Sequence, residues 1–176
     1  KDGQRIPASL ITDNNLVKNL KNRWPQRAKV LFIAANPKDI EKSESYRNAF
    51  LYAFPFHGME IGTYAVCDCR NEIAVEQLSD FDVIILSGGH VPTQNIFFQH
   101  IGLKEKLDSY NGMIIGISAG TMNCADIVYA HPELQGEAVD PEYQRFIPGL
   151  GLTKRMSLPH YQSIKDDVLD DLRVFE

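Results

Sequence analysis

Gly116-Ile117-Ser118-Ala119-Gly120 fits the pattern G-x-S-x-G and stands between the apolar run "GMII" and a segment that reads as helix. That pattern suits a nucleophile elbow, a sharp strand-to-helix turn that exposes a serine hydroxyl for attack on a carbonyl carbon. The turn is too tight for Cβ atoms at the flanking glycines, and the serine itself takes a strained backbone conformation. A helix starting immediately afterwards would aim its free amides at the site, so the Ala119 N–H is placed to bind a developing oxyanion. The competing reading is an ordinary turn in which Ser118 caps the helix. A strand before the motif and a helix after it favour the elbow.

A serine nucleophile needs a base, and histidine has the suitable pKa. Of the five histidines, His57 lies in "FPFHGM", a turn on the amino side of a strand, and His100 lies within a helix as a surface or packing residue. His131 follows Ser118 by about a helical length, and His90 sits in a glycine loop, nearer to substrate than to a proton-relay role. His160, in "SLPHYQ", ends an extended run stiffened by a proline and is the chosen base. The third member should be a carboxylate that orients the imidazole. Asp126 would sit on the elbow helix and point away, while Glu133 and Glu137 lie on a later loop able to return to the site. The choice between Glu133 and Glu137 stays open on these grounds.

A second glycine pair, Gly88-Gly89 in "LSGGHVPTQN", closes another apolar run. Such a pair lets the backbone approach substrate closely and donate a second oxyanion hydrogen bond; the plainer alternative is a strand-to-helix turn. Thr93, Gln94 and Asn95 would then face substrate or cap the next helix. The loop is not G-x-G-x-x-G and lacks a phosphate-loop lysine, which disfavours nucleotide binding.

The elements that must position these groups alternate between strand and helix. The apolar runs "AKVLFIAANP", "MEIGTYAVCD", "FDVIILSGG" and "GMIIGIS" read as buried strands, and each is followed by a helical segment. Those segments are "EKSESYRNAFLYAFPFHG", a short one around "NEIAVEQLSD", a longer "TQNIFFQHIGLKEKLDSY", and "AGTMNCADIVYA". Strands apolar throughout imply a parallel sheet covered on both faces, a three-layer, doubly wound α/β fold. Ligands bind such folds at the carboxyl ends of the strands, where both "SGG" and "GISAG" lie. A helix, "TDNNLVKNLKNRW", precedes the first of these strands, with an uncertain strand before it. After Ala130 the pattern loosens into a polar loop, the extended "RMSLPHY" and a charged last helix.

Bulk composition limits the function classes. With 176 residues, 44% apolar and 23% charged, residues 1–176 fit one globular domain with a sizeable core. A net charge of -5 without a Lys/Arg run argues against nucleic-acid or anionic-membrane partners. The apolar runs are too short to span a bilayer and no signal-peptide pattern begins the chain, so a cytoplasmic location is the expectation. Cys67, Cys69 and Cys124 read as reduced thiols, because Cys67-Asp68-Cys69 lacks a second ligand pair at zinc spacing. No metal or cofactor is expected, and a homodimer stays open.

Taken together, the element order, "LSGGHVPTQN", "GISAGTMN" and "LPHY" resemble the peptidase E family of serine peptidases, which includes aspartyl dipeptidase and cyanophycinases. The likeness runs from about Ala28 to Tyr161. It implies a class I glutamine amidotransferase-like (flavodoxin-like) fold, with Ser118 as nucleophile and His160 as general base. It further implies Gly89 and Ala119 as oxyanion amides beside Gly88, and Glu133 as the acid that best matches the family's position. The implied substrates are dipeptides or short acidic peptides, cleaved through an acyl-enzyme without metal or cofactor. His90-Val91-Pro92 departs from the family's commoner glycine-rich loop. Relatives usually continue through further sheet, so some C-terminal structure is expected to be absent here. Three rival readings exist: an α/β-hydrolase esterase, a glutamine amidotransferase, and a non-catalytic binding protein on the same fold. The 42 residues between Ser118 and His160 are too few for the elements an esterase would insert. Serine in place of a thiolate argues against an amidotransferase, and the intact Ser-His pair argues against a non-catalytic protein.

Overall fold

Strands β1 (Ala28–Ile33), β2 (Ile61–Cys67), β3 (Val83–Leu86) and β4 (Met113–Gly116) form a parallel sheet in the order β2-β1-β3-β4. The structure, a computed structural model, describes residues 9–173. Val30, Leu31, Phe32 and Ile33 of β1 are all fully buried. Leu31 and Ile33 join a cluster on one face, with Ile84, Leu86, Phe97 and Leu103, while Val30 and Phe32 join the other, with Val83, Ile85, Phe54 and Met59. Burial on both faces explains why the strand is apolar at every position from Val30 to Ile33 instead of alternating.

Helices cover each face and complete the three layers. On one side, a 3-10 segment (Glu72–Asp80), α3 (Val91–His100) and α4 (Leu103–Leu107) supply Val75, Leu78, Phe98 and Leu107. On the other, α1 (Leu16–Arg23) and α2 (Ile40–Phe56) supply Val17, Leu20 and Phe50, with Trp24 stacked on Phe54 at 4.7 Å between ring centroids. Each layer packs on its own face of the sheet, and burial of each amphipathic face carries the helices that local propensity alone would leave marginal.

The register levels the carboxyl ends of the strands. Ile33 pairs with Cys67 and Leu86, and Leu86 pairs with Gly116, so four strands end in one row. Residues two places beyond β3 and β4, Gly88 and Ser118, therefore leave the sheet at the same height. Connections from β1 run to β2 on one side and β3 lies on the other, which makes the β1/β3 boundary the switch point where such folds bind ligands.

Three expectations need correction. The long helix expected over "TQNIFFQHIGLKEKLDSY" starts at Val91 and breaks after His100, because Gly102 takes a left-handed φ of 59°. That break turns Leu103 and Leu107 back onto the core cluster already holding Phe97 and Phe98. The helix expected over "AGTMNCADIVYA" is reduced to α5 (Ala119–Met122). Carbonyls a longer helix would use internally are taken from outside: Leu150 N–H donates to Asn123 O at 2.8 Å and Leu152 N–H to Cys124 O at 2.8 Å. The β-branched and aromatic run beyond then forms β5 (Ile127–Tyr129), paired antiparallel with β6 (Phe146–Pro148).

The charged last helix is also shorter than expected. α6 covers only Tyr161–Ile164, and β7 (Val168–Leu169) and β8 (Leu172–Arg173) follow as a two-residue ladder. Asp170 and Asp171 link them with φ of 52° and 63°, the backbone of a primed hairpin turn that aspartate tolerates. The uncertain strand ahead of α1 falls mostly on residues 1–8, outside the described residues, and Ser9–Thr12 form none.

Candidate active site

Ser118 follows β4 by two residues and has φ 50°, ψ -112°, a strained conformation for a residue with a Cβ. Its surroundings leave it no alternative. A Cβ on Gly116 would meet Thr121 N and Cα at 2.8 Å, and one on Gly120 would overlap the Leu86 carbonyl. Gly120 N–H donates to Ser87 O at 3.1 Å and Ile117 O at 2.9 Å, while Thr121 and Met122 N–H groups donate to Ser118 O at 2.9 and 3.1 Å. Ser118 occupies the N-cap position of α5, yet its hydroxyl makes no capping hydrogen bond. The Ala119 amide, first of that helix and fully buried, has no backbone acceptor among the described residues.

The hydroxyl faces His160 instead. Ser118 Oγ lies 3.4 Å from His160 Nε2, longer than a tight hydrogen bond and within the looseness common in unliganded sites. His160 is exposed and left-handed, with φ 63° and ψ 17°, at the end of the extended run through Pro159. Histidine is among the few non-glycine residues enriched in that region. The turn starts α6, whose Ser163 and Ile164 N–H groups donate to His160 O at 2.9 and 3.1 Å.

A cavity of about 400 Å³ holds both side chains. Its wall also carries His131, Pro132, Glu133, Asp167 and Leu169. Glu133 therefore shares the cavity with Ser118 and His160, but its Oε1 lies 3.1 Å from His131 Nε2. Among the described residues no carboxylate pairs with the His160 ring. Glu137 is turned away, with Oε1 2.9 Å from His90 Nε2 and Oε2 accepting the N–H groups of Glu133 and Leu134 at 2.8 and 2.9 Å.

Sequence spacing puts His131 about a helical length from the serine, whereas the structure sets it in the cavity wall, with only 6% of its surface exposed. The available signal was "YAHPE": a histidine before proline continues β5 as extended backbone, not helix. Tyr143 Oη donates to His131 O at 3.1 Å. Burial, reinforced by the charges of Glu137 and Glu133, pushes the Tyr143 hydroxyl well above its ordinary value and keeps it a donor.

Gly88 and Gly89 lie at the switch point, against the elbow. A Cβ on Gly88 would sit 3.4 Å from Ser118 Cβ, and one on Gly89 would meet Ala35 Cβ at 2.6 Å. Gln94 and Asn95 do not face substrate; both are buried, with Gln94 Nε2 donating to Ser87 O at 2.8 Å and Asn95 Nδ2 to Asn123 Oδ1 at 2.8 Å. They brace the glycine loop against α5. A further cavity of about 210 Å³ beside this loop has Asn36, Asp39, Lys42, Gly88, Gly89 and Thr93 in its wall. A larger cleft, about 690 Å³, lies at the amino ends of the strands around Asp82 and Met113, away from the serine.

The remaining candidates stand apart. His57 Nε2 contacts Ser9 Oγ at 3.0 Å, and His100 pairs with Glu72 at 3.0 Å on the surface. Burial pushes the Cys67 thiol up to about 12 and the Cys124 thiol up to about 11, so neither is an activated nucleophile. Among the described residues no group of three His, Cys, Asp or Glu side chains is arranged to hold a metal ion, and no helix is long and apolar enough to cross a membrane.

The comparisons with known proteins agree with this architecture. A crystal structure from Listeria monocytogenes EGD-e, provisionally assigned as a peptidase E, superposes with a TM-score of 0.60 at 19% identity, over 84% of this chain and 75% of that one. At that identity the match speaks for the fold. No curated protein matches the chain. The sequence pattern of peptidase family S51 matches residues 8–173, nearly the whole length. The chain therefore belongs to peptidase family S51 and is a serine-type peptidase.

Proposed function

We propose that the protein hydrolyses dipeptides or short, Asp-containing peptides, with Ser118 as nucleophile and His160 as general base. One observation carries the reading: a strained serine that caps nothing points its hydroxyl at a histidine ring nitrogen 3.4 Å away, beside an uncommitted helix amide. In the first half-reaction Ser118 Oγ attacks the peptide carbonyl while His160 Nε2 takes its proton, then returns it to the leaving amine. The amides of Ala119 and Gly89 bind the oxyanion, and water attacks the acyl-enzyme by the same route in reverse.

Glu133 is the carboxylate we assign to the site. Held on His131 across the cavity, it lowers the energy of the imidazolium through its field, without touching the ring. Lys42, in the cavity beside the glycine loop, supplies a cation suited to an acidic substrate side chain. The test compares an aspartyl dipeptide with its asparaginyl counterpart, using wild type, Glu133→Gln and Lys42→Met. The proposal expects the aspartyl substrate to be preferred, the preference to fall in Lys42→Met, and kcat to fall in Glu133→Gln. Equal turnover of both dipeptides would refute the acidic preference, and an unchanged Glu133→Gln enzyme would remove Glu133 from the mechanism.

A further inference from the structure

A single carboxylate joins the two loops that wall the site. Glu137 Oε1 stands 2.9 Å from the buried Nε2 of His90, the residue directly after Gly88-Gly89, a close contact whose angles fall short of a hydrogen bond. Its other oxygen accepts the N–H groups of Glu133 and Leu134 at 2.8 and 2.9 Å. The second ring nitrogen of His90 lies 2.8 Å from Thr93 Oγ1, which fixes the imidazole on the first turn of α3. Both partners are largely shielded, with 16% of each side chain exposed.

We infer that Glu137 is a positioning residue: it clasps the glycine loop to the 131–137 loop, and so sets the Gly89 amide and the Glu133 carboxylate relative to Ser118 together. The inference rests on the roles given above to Gly89 and Glu133. Glu137 is not itself a catalytic residue, because its two oxygens are committed to His90 and two backbone amides and it does not line the cavity of Ser118. A shift of about 1 Å in a reacting geometry, caused by a change away from the chemistry, costs up to about 100-fold. His90 is the residue at which the loop departs from the family's commoner form, so the clasp is tied to this chain's own sequence.

The test is a double-mutant cycle on the full chain with Glu137→Gln, His90→Asn and both together, measuring kcat, KM and affinity for a peptide aldehyde. The aldehyde adduct places an oxyanion-like oxygen on the Gly89 amide, whereas the substrate ground state does not. Glu137→Gln should lower kcat about tenfold and weaken the aldehyde by a similar factor, with KM nearly unchanged. The double variant should be no worse than the poorer single variant. Single effects that multiply, or a folded Glu137→Gln protein with wild-type kcat and aldehyde affinity, would overturn the clasp. If Glu137→Gln does not fold, His90→Asn alone carries the same expectation on kcat and aldehyde affinity, with the same overturning result. Ser118→Ala separates the levels: turnover surviving there overturns the reading of the site itself, whereas turnover lost there beside independent His90 and Glu137 effects overturns only the clasp.

Discussion

Ser118 and His160 are held by different kinds of structure. Ser118 leaves a parallel strand whose neighbour β3 is fully buried, and its turn is closed by glycines that tolerate no Cβ and by backbone hydrogen bonds on both sides. His160 sits exposed on a left-handed turn, supported by a four-residue helix and a two-residue ladder beyond it. The comparison teaches that the nucleophile is fixed by the core and the base by local turn geometry. Changes around the first should cost folding and turnover together, and changes at the second should cost turnover alone.

The largest expected effect is at the pair itself. Ser118→Ala should lower kcat by about a millionfold, and His160→Gln should do nearly as much while leaving Tm unchanged, because the ring is exposed. A large Tm loss in His160→Gln would break the contrast. Next, Gly120→Ala forces a methyl onto the Leu86 carbonyl, so it should cost about 1–3 kcal/mol of stability and lower turnover with it. Denaturant titration beside kcat checks both, and a stable, active Gly120→Ala protein would show that the elbow is less constrained than its packing indicates.

A smaller effect should appear in stability and not in turnover. Asp68, fully buried at the end of β2, would be pushed up by burial, but hydrogen bonds from Arg70 outweigh that and hold its carboxyl below the ordinary value. A lowered folded-state value means the carboxylate contributes stability above its unfolded value and loses it as pH falls through the folded one. Asp68→Asn should therefore lower Tm at neutral pH, with the difference from wild type shrinking in acid and kcat unchanged. A difference that persists at acid pH would assign the loss to packing. The smallest expected effect is none: iodoacetamide at pH 8 should alkylate exposed Cys69 and leave turnover intact, since the other two thiols stay protonated. Inactivation protected by substrate would point to a thiol in the site.

What the sequence disclosed follows the same division. The central strands β1 and β3 were legible because residues 30–33 and Val83–Leu86, buried on both faces, are uninterrupted apolar runs, and the two glycine turns were legible because close backbone approach requires glycine. Where a tertiary contact decides, local pattern failed: "AGTMNCADIVYA" has the composition of a helix, but residues 150–152 take its carbonyls and leave one turn. The split at Gly102 did carry a signal, a glycine placed to end one helix, which the surrounding helical residues masked. The acid was not legible for a sharper reason. Glu133 and Glu137 lie on one short loop, and their partners are His131 and His90, residues far from either in the roles that spacing suggested.

The central claim is that Ser118 is the nucleophile. The most direct measurement is tandem mass spectrometry of the full chain after reaction with a fluorophosphonate, run beside Ser118→Ala. The account predicts one adduct, on the Ser118 hydroxyl, and none in the variant. An adduct on another residue, or labelling that survives in Ser118→Ala, would contradict it.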